Sequence, residues 1–111
     1  MRVFISQPMS GKTKDEILSR RNEIINLIKK TYLNSNIEFI DSVIDKDTDP
    51  TDNEVLHTPV WYLGESIKRL STATMAYFDK DWIKARGCQI EYAICKSYGI
   101  PVKSWREFDK E

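Results

Sequence analysis

Short solid apolar runs alternate along this chain with longer stretches whose apolar positions recur at helical spacing. The first run, Arg2 to Ile5, reads as a buried strand. Ser6-Gln7-Pro8-Met9-Ser10-Gly11 is rich in turn-forming residues and reads as a loop. From Lys12 to Lys30 the period changes to that of a helix, with Ile17, Leu18, Ile24, Ile25 and Ile28 on one stripe. Ser10 or Thr13 is the expected cap, with Glu16 in the first turn. Arg21 projects into the stripe, where it is expected to snorkel or to pair with a carboxylate; a ligand contact is the alternative. Ile37 to Ile40 is a second strand, with an extension towards Ile44 in view. Pro59 to Leu70 is a second helix, carrying Val60, Leu63, Ile67 and Leu70 on one face. Thr74 to Phe78 is a third strand that ends at Asp79. A third helix over 87–98, opened by Arg86-Gly87-Cys88, stops at Gly99 and Pro101. Ile100 to Ser104 is a fourth strand, and Trp105 to Glu111 carries too little signal to place.

Strands that alternate with helices imply a parallel sheet covered on both faces and joined by right-handed crossovers. The expected fold is a single three-layer α/β domain over residues 1–111, flavodoxin-like or Rossmann-like, with strand order 2-1-3-4. In such sheets ligands bind beyond the carboxyl ends of the strands, where the order reverses. Here that point lies between strands one and three. Ser6–Gly11, Asp79–Trp82 and the start of the third helix should meet there.

Composition narrows the partners. Seventeen basic and 17 acidic residues leave no footprint for a nucleic-acid polymer or an anionic membrane. No apolar run is long enough to span a bilayer, and the start of the chain lacks a secretory-leader pattern. Cys88 and Cys95 sit two turns apart on one predicted helix, roughly 10 Å between Cα atoms, too far for a disulfide. Reduced, half-buried thiols are expected, which suits a cytoplasmic protein. With one histidine, His57, they do not make a zinc site by spacing. Asp45, Asp47 and Asp49 alternate like the start of a calcium loop. The pattern then breaks at Pro50 and Leu56, so 41–53 reads as a solvated, mobile loop, with a lid as its functional alternative.

The most informative position is Glu91. It falls inside the apolar stripe of the third helix, among Cys88, Tyr92, Ile94, Cys95 and Tyr98. A carboxylate there is costly unless it is paired or faces a cleft. The early turns of the helix favour an anion, and topology puts this residue at the expected crevice. The competing reading is a structural glutamate paired with a lysine or arginine. A second pattern is weaker. Ser6 to Thr13 nearly matches a phosphate-cradling P-loop, and Met75 to Asp79 resembles the strand that holds magnesium in such enzymes. Ser6 replaces the first glycine, however, and Pro8 removes a backbone donor. A more modest phosphate or sugar contact through Ser10, Gly11 and the helix start remains open.

The residues just described resemble the nucleoside 2-deoxyribosyltransferase superfamily, and most of all a small branch of domains associated with it. The resemblance is carried by Val3-Phe4-Ile5-Ser6-Gln7-Pro8-Met9-Ser10-Gly11-Lys12, by Trp61-Tyr62-Leu63-Gly64 and by Ser71-Thr72-Ala73. It continues in Trp82, Ala85-Arg86-Gly87-Cys88-Gln89-Ile90-Glu91, Ala93 and Gly99-Ile100-Pro101-Val102. It implies an enzyme that cleaves or transfers the N-glycosidic bond of a deoxynucleoside or its 5′-monophosphate. Glu91 would be the nucleophile, and no metal or organic cofactor is implied. Ser6, Gln7, Gly11 and Ser66 would contact sugar or phosphate. Arg86 would meet a phosphate, with a surface salt bridge as its other reading, and Asp79 and Gly87 are further substrate-binding candidates. Trp82 or Tyr77 would face the base. Ser66 stands where the superfamily often has an aspartate, so the acid would have to come from Glu65, Asp79 or Asp81, or else the activity is altered or absent. A nucleotide-binding module without turnover is the alternative. Superfamily sites are often completed by a second subunit, and Trp61, Tyr62, Trp105 and Phe108 are the aromatic candidates for such an interface.

Overall fold

The computed structural model describes residues 1–33, 36–41 and 55–108. Its elements are β1 (Arg2–Ser6), α1 (Lys14–Thr31), β2 (Glu38–Phe39), α2 (Thr58–Leu70), β3 (Met75–Phe78), α3 (Arg86–Tyr98) and β4 (Val102–Ser104). All four strands are parallel and lie in the order β2-β1-β3-β4. The register pairs Ser6 with Phe78, so the ends of the two central strands lie side by side. The expected loop 41–53 falls, apart from Asp41, outside the described residues, as does the extension of the second strand to Ile44.

Side-chain alternation along β1 and β3 divides the core in two. Val3, Ile5, Met75 and Tyr77 pack against Ile24 and Ile28 of α1. Phe4, Ala76 and Phe78 face the other way, onto Leu70 of α2 and Cys95 of α3. Every residue of β3 is buried. Such strands, covered on both faces, explain why they read as solid apolar runs.

The start of α1 follows from its sequence. Thr13 accepts a hydrogen bond from the Glu16 N–H, and the Glu16 carboxylate accepts one from the Thr13 N–H. Thr13, not Ser10, is therefore the cap, and the helix begins two residues later than its apolar pattern suggests. At the other end, Gly99 closes α3 in the left-handed conformation, φ 73°, which a side chain would oppose. Arg21 is buried, donates to the Ile40 carbonyl at 2.7 Å and feels the charge of Asp41; burial pulls its pKa down.

One expectation about packing is corrected. Tyr98, assigned to the buried stripe of α3, is 81% exposed, because the stripe there narrows to Cys88, Glu91 and Cys95. The aromatic interface candidates are each half-buried within the chain. Trp105 begins a short 3-10 turn and carries Lys80 and Arg106 near its ring, while Phe108 packs edge-on against Tyr32 and Tyr77. Within α2 only Leu70 is buried, although its apolar residues are well grouped. Among the described residues no helix is long and apolar enough to cross a membrane.

Candidate functional site

Three elements converge on Glu91. Alternation turns Ser6, the last residue of β1, to the side that carries α2 and α3. Helical periodicity turns Glu91 of α3 inward beside Cys88 and Cys95. Ser66 reaches in from α2. The Ser6 hydroxyl donates to Glu91 Oε1 at 2.7 Å, and the Ser66 hydroxyl donates to Oε2, also at 2.7 Å. Glu91 is only 6% exposed, and among the described residues no cation contacts it. Among the described residues it is two serine hydroxyls, and no lysine or arginine, that hold this carboxyl in place.

Burial is the largest influence on the Glu91 carboxyl and pushes its pKa above the usual carboxylate range. The hydrogen bonds from Ser66 and then Ser6 oppose that shift. The helix start does not cancel the cost of burial, as the sequence had suggested. The carboxyl is also more enclosed than an open crevice would leave it. Ser66→Ala should therefore raise the pKa of Glu91 further, since it removes the larger of the two opposing effects. A pH titration followed by carboxyl infrared absorption would show the midpoint moving up; a fixed or lower midpoint would contradict the assignment.

Cys88 lies beside Ser6, and its thiol is held up at about 11, chiefly by burial. Cys95 is likewise pushed up to about 11 by burial first and by the Glu91 charge second. Both thiols are more buried than expected, and burial favours their protonated form over the nucleophilic thiolate.

The other predicted site residues are dispersed. Gln7 continues the β1 alternation onto the opposite face, where its amide N–H donates to the Ile17 carbonyl at 3.1 Å. Asp79 lies on that face too, 4% exposed, clasped by Arg20 through two bonds of 2.9 and 2.7 Å, with the Tyr77 hydroxyl at 3.2 Å. The Asp79 hydrogen bond is the main reason the Arg20 pKa is raised. Tyr77 is wholly buried and cannot face a base; that role is corrected, and burial pushes its pKa up. Trp82 stacks on Tyr92, centroids 4.4 Å apart, and meets Phe78 edge-on, so packing already uses one face of its ring. Gly11 is exposed at φ 77° in the loop before α1. The first turn of that helix holds Asp15 and Glu16, which repel a phosphate.

Of the acid candidates, Asp79 is held by Arg20, Glu65 pairs with Lys68, and Asp81 is exposed beside Lys84. Arg86 and Gly87 are exposed in the first turn of α3, which has Ala85 as its cap, no capping side chain and no acidic residue. Arg86 makes no ion pair with a described residue, which removes its salt-bridge reading there. Among the described residues no three His, Cys, Asp or Glu side chains cluster as metal ligands. Two surface hollows, of about 320 and 260 Å³, are lined by residues of α1 and the loop after it and, in the second, by Tyr77, Lys80 and the C-terminal turn; Glu91 lines neither.

Sequence reasoning missed Arg20. It marked the neighbouring Arg21 because that residue breaks the apolar stripe, whereas Arg20 lies at the stripe's margin and has no signal of its own. It also took Tyr62 only as part of the family resemblance and as an interface candidate. The Tyr62 hydroxyl is in fact enclosed and, among the described residues, without a hydrogen-bond partner.

No family model, no curated protein and no solved structure matches this chain.

Proposed function

We propose that the chain cleaves or transfers the N-glycosidic bond of a deoxynucleoside or its 5′-monophosphate, with Glu91 as nucleophile. One observation carries the reading: an enclosed carboxyl at the carboxyl edge of a parallel sheet, both oxygens held by hydroxyls and no described cation in contact. Neutral donors fix the direction of the carboxyl without neutralising it, which suits a group that must meet a developing oxocarbenium ion. In the first step a Glu91 oxygen bonds to the anomeric carbon. The carbon–nitrogen bond breaks, and its electron pair leaves with the base, which takes up a proton from solvent. In the second step water, or a ring nitrogen of another base, bonds to the anomeric carbon and gives a proton to solvent, while the ester carbon–oxygen bond breaks and returns the carboxylate. Neither step calls for a metal or organic cofactor. Arg86, with the N–H groups that open α3, is the proposed seat of a 5′-phosphate.

A second reading is favoured by a specific observation. Ser66, in the place where an acid is expected, spends its hydroxyl on Glu91, and Asp79 and Glu65 are engaged in ion pairs. On this reading the site captures a nucleotide and does not turn it over. The P-loop idea gains no support, since the aspartate it would give to magnesium is clasped by Arg20.

The four 2′-deoxynucleosides and their 5′-monophosphates, each with and without a second free base, form the test panel. Base release followed by chromatography and lost in Glu91→Ala supports the enzyme. Thermal stabilisation by a panel member without product, retained in Glu91→Gln, supports the binding module. Neither response from the wild type would overturn both.

A further inference from the structure

Among the described residues, Gln7 Oε1 and Tyr62 Oη are enclosed polar side-chain atoms without a hydrogen-bond partner. Gln7 is accounted for by its amide nitrogen, which ties the loop after β1 to the Ile17 carbonyl on the α1 face, away from Glu91. Tyr62 has no such anchor. It meets Trp61 edge-on at 5.1 Å, a contact that leaves its hydroxyl without function. A buried hydroxyl without a partner costs roughly 1–3 kcal/mol, so a chain that keeps one should have a use for it.

Its position suggests that use. Tyr62 and Ser66 are four residues apart on α2 and so occupy one face of the helix. Ser66 is the residue of that face that reaches Glu91. The helix leads back to the start of β3 and so runs antiparallel to the strands, with its first residues at their carboxyl ends. Tyr62 therefore stands about 6 Å farther than Ser66 beyond that edge, and its side chain leans outward in the same direction. That separation is close to the width of a sugar ring. A sugar with its anomeric carbon at Glu91 would carry its leaving group near Tyr62.

We propose that the Tyr62 hydroxyl donates a hydrogen bond to the leaving group, a heteroaromatic base with a ring nitrogen or carbonyl oxygen as acceptor. This rests on the reading of Glu91 as nucleophile. The hydroxyl stabilises the electron pair released as the carbon–nitrogen bond breaks. It supplies part of what the carboxylic acid absent at Ser66 would give, without itself losing a proton. The partner it lacks in the empty chain is the base.

Tyr62→Phe removes one oxygen and leaves the ring. In the panel above, it should lower kcat/KM for base release by roughly tenfold, the worth of one neutral hydrogen bond. The midpoint of thermal unfolding should stay the same or rise, because the deleted group has no partner among the described residues. A midpoint lower by several degrees would reveal a structural bond and overturn the proposal. So would an unchanged kcat/KM in a variant whose parent is active and whose Glu91→Ala counterpart is not; that result leaves the nucleophile reading standing. A wild type inert across the panel would overturn both.

Discussion

Glu91→Gln is expected to abolish base release, by at least about 10³-fold, while leaving the protein as stable as before or more so. The two effects share one cause. Glutamine keeps the shape and can still meet both hydroxyls, accepting from one and donating to the other. It cannot bond to an anomeric carbon or balance positive charge there. The stability sign follows from the raised pKa. A glutamate ordinarily titrates near 4.5, and burial moves this one above that value in the folded chain. Between the two values the native state binds more protons than the unfolded state, so this group's contribution to stability is full below the lower value. It is lost as pH rises through the upper one. The variant has no such loss. Its advantage in thermal midpoint should therefore grow from about pH 4.5 upward and level off once the wild-type carboxyl is ionised, as calorimetry across pH would show. An advantage that shrinks with pH, or a variant that unfolds more easily at neutral pH, would mean that the carboxylate is stabilised and not strained in its site.

The fold was legible because its signals are local. Val3-Phe4-Ile5 and Met75 to Phe78 are covered on both faces and read as solid runs. The Thr13 and Glu16 pair and Gly99 mark helix ends through hydrogen bonds and backbone conformations that the residues themselves dictate. Alternation of strands and helices then allowed few sheet orders, and the order found is the one expected. The site was legible at Glu91 and Ser6 for the same reason: a carboxylate on an apolar stripe and a strand-end residue are both visible in one dimension. Ser66 needed the resemblance, since nothing in its own helix distinguishes it from Ser71. The pairing of Arg20 with Asp79 was not legible. It joins residues 59 positions apart through side chains, and neither residue breaks a pattern. The confinement of Tyr77 has the same origin, because alternation gives its face but not what covers it.

Asp79→Ala should be the most destabilising single change at the carboxyl edge. It leaves the half-exposed Arg20 guanidinium without its two bonds to Asp79, with the Glu23 contact remaining, and the buried Tyr77 hydroxyl without its acceptor. Removing one partner of a buried pair costs roughly 3–5 kcal/mol. The remaining exposure of Arg20 places this case at about 3 kcal/mol, or a fall of at least about 10 °C in the thermal midpoint of a chain this size. Paired urea melts of Asp79→Ala and Arg20→Ala would check it. A loss under about 1 kcal/mol in both would show that the pair does not hold β3 to α1. Asp79 lies on the far face from Glu91, with its described partners in α1 and β3.

The unequal anchorage of Glu91 has a stereochemical consequence. Oε1 is tethered by the end of β1, a central strand sealed on both sides. Oε2 is tethered by α2, of which Leu70 alone is sealed. In the proposed reaction a substrate would meet a carboxylate moored on one side to a sealed strand and on the other to a more exposed helix, the easier of the two to displace. In the proposed reaction the oxygen set free to form the ester is then Oε2, and Oε1 keeps the carboxylate plane aligned while the bond is made.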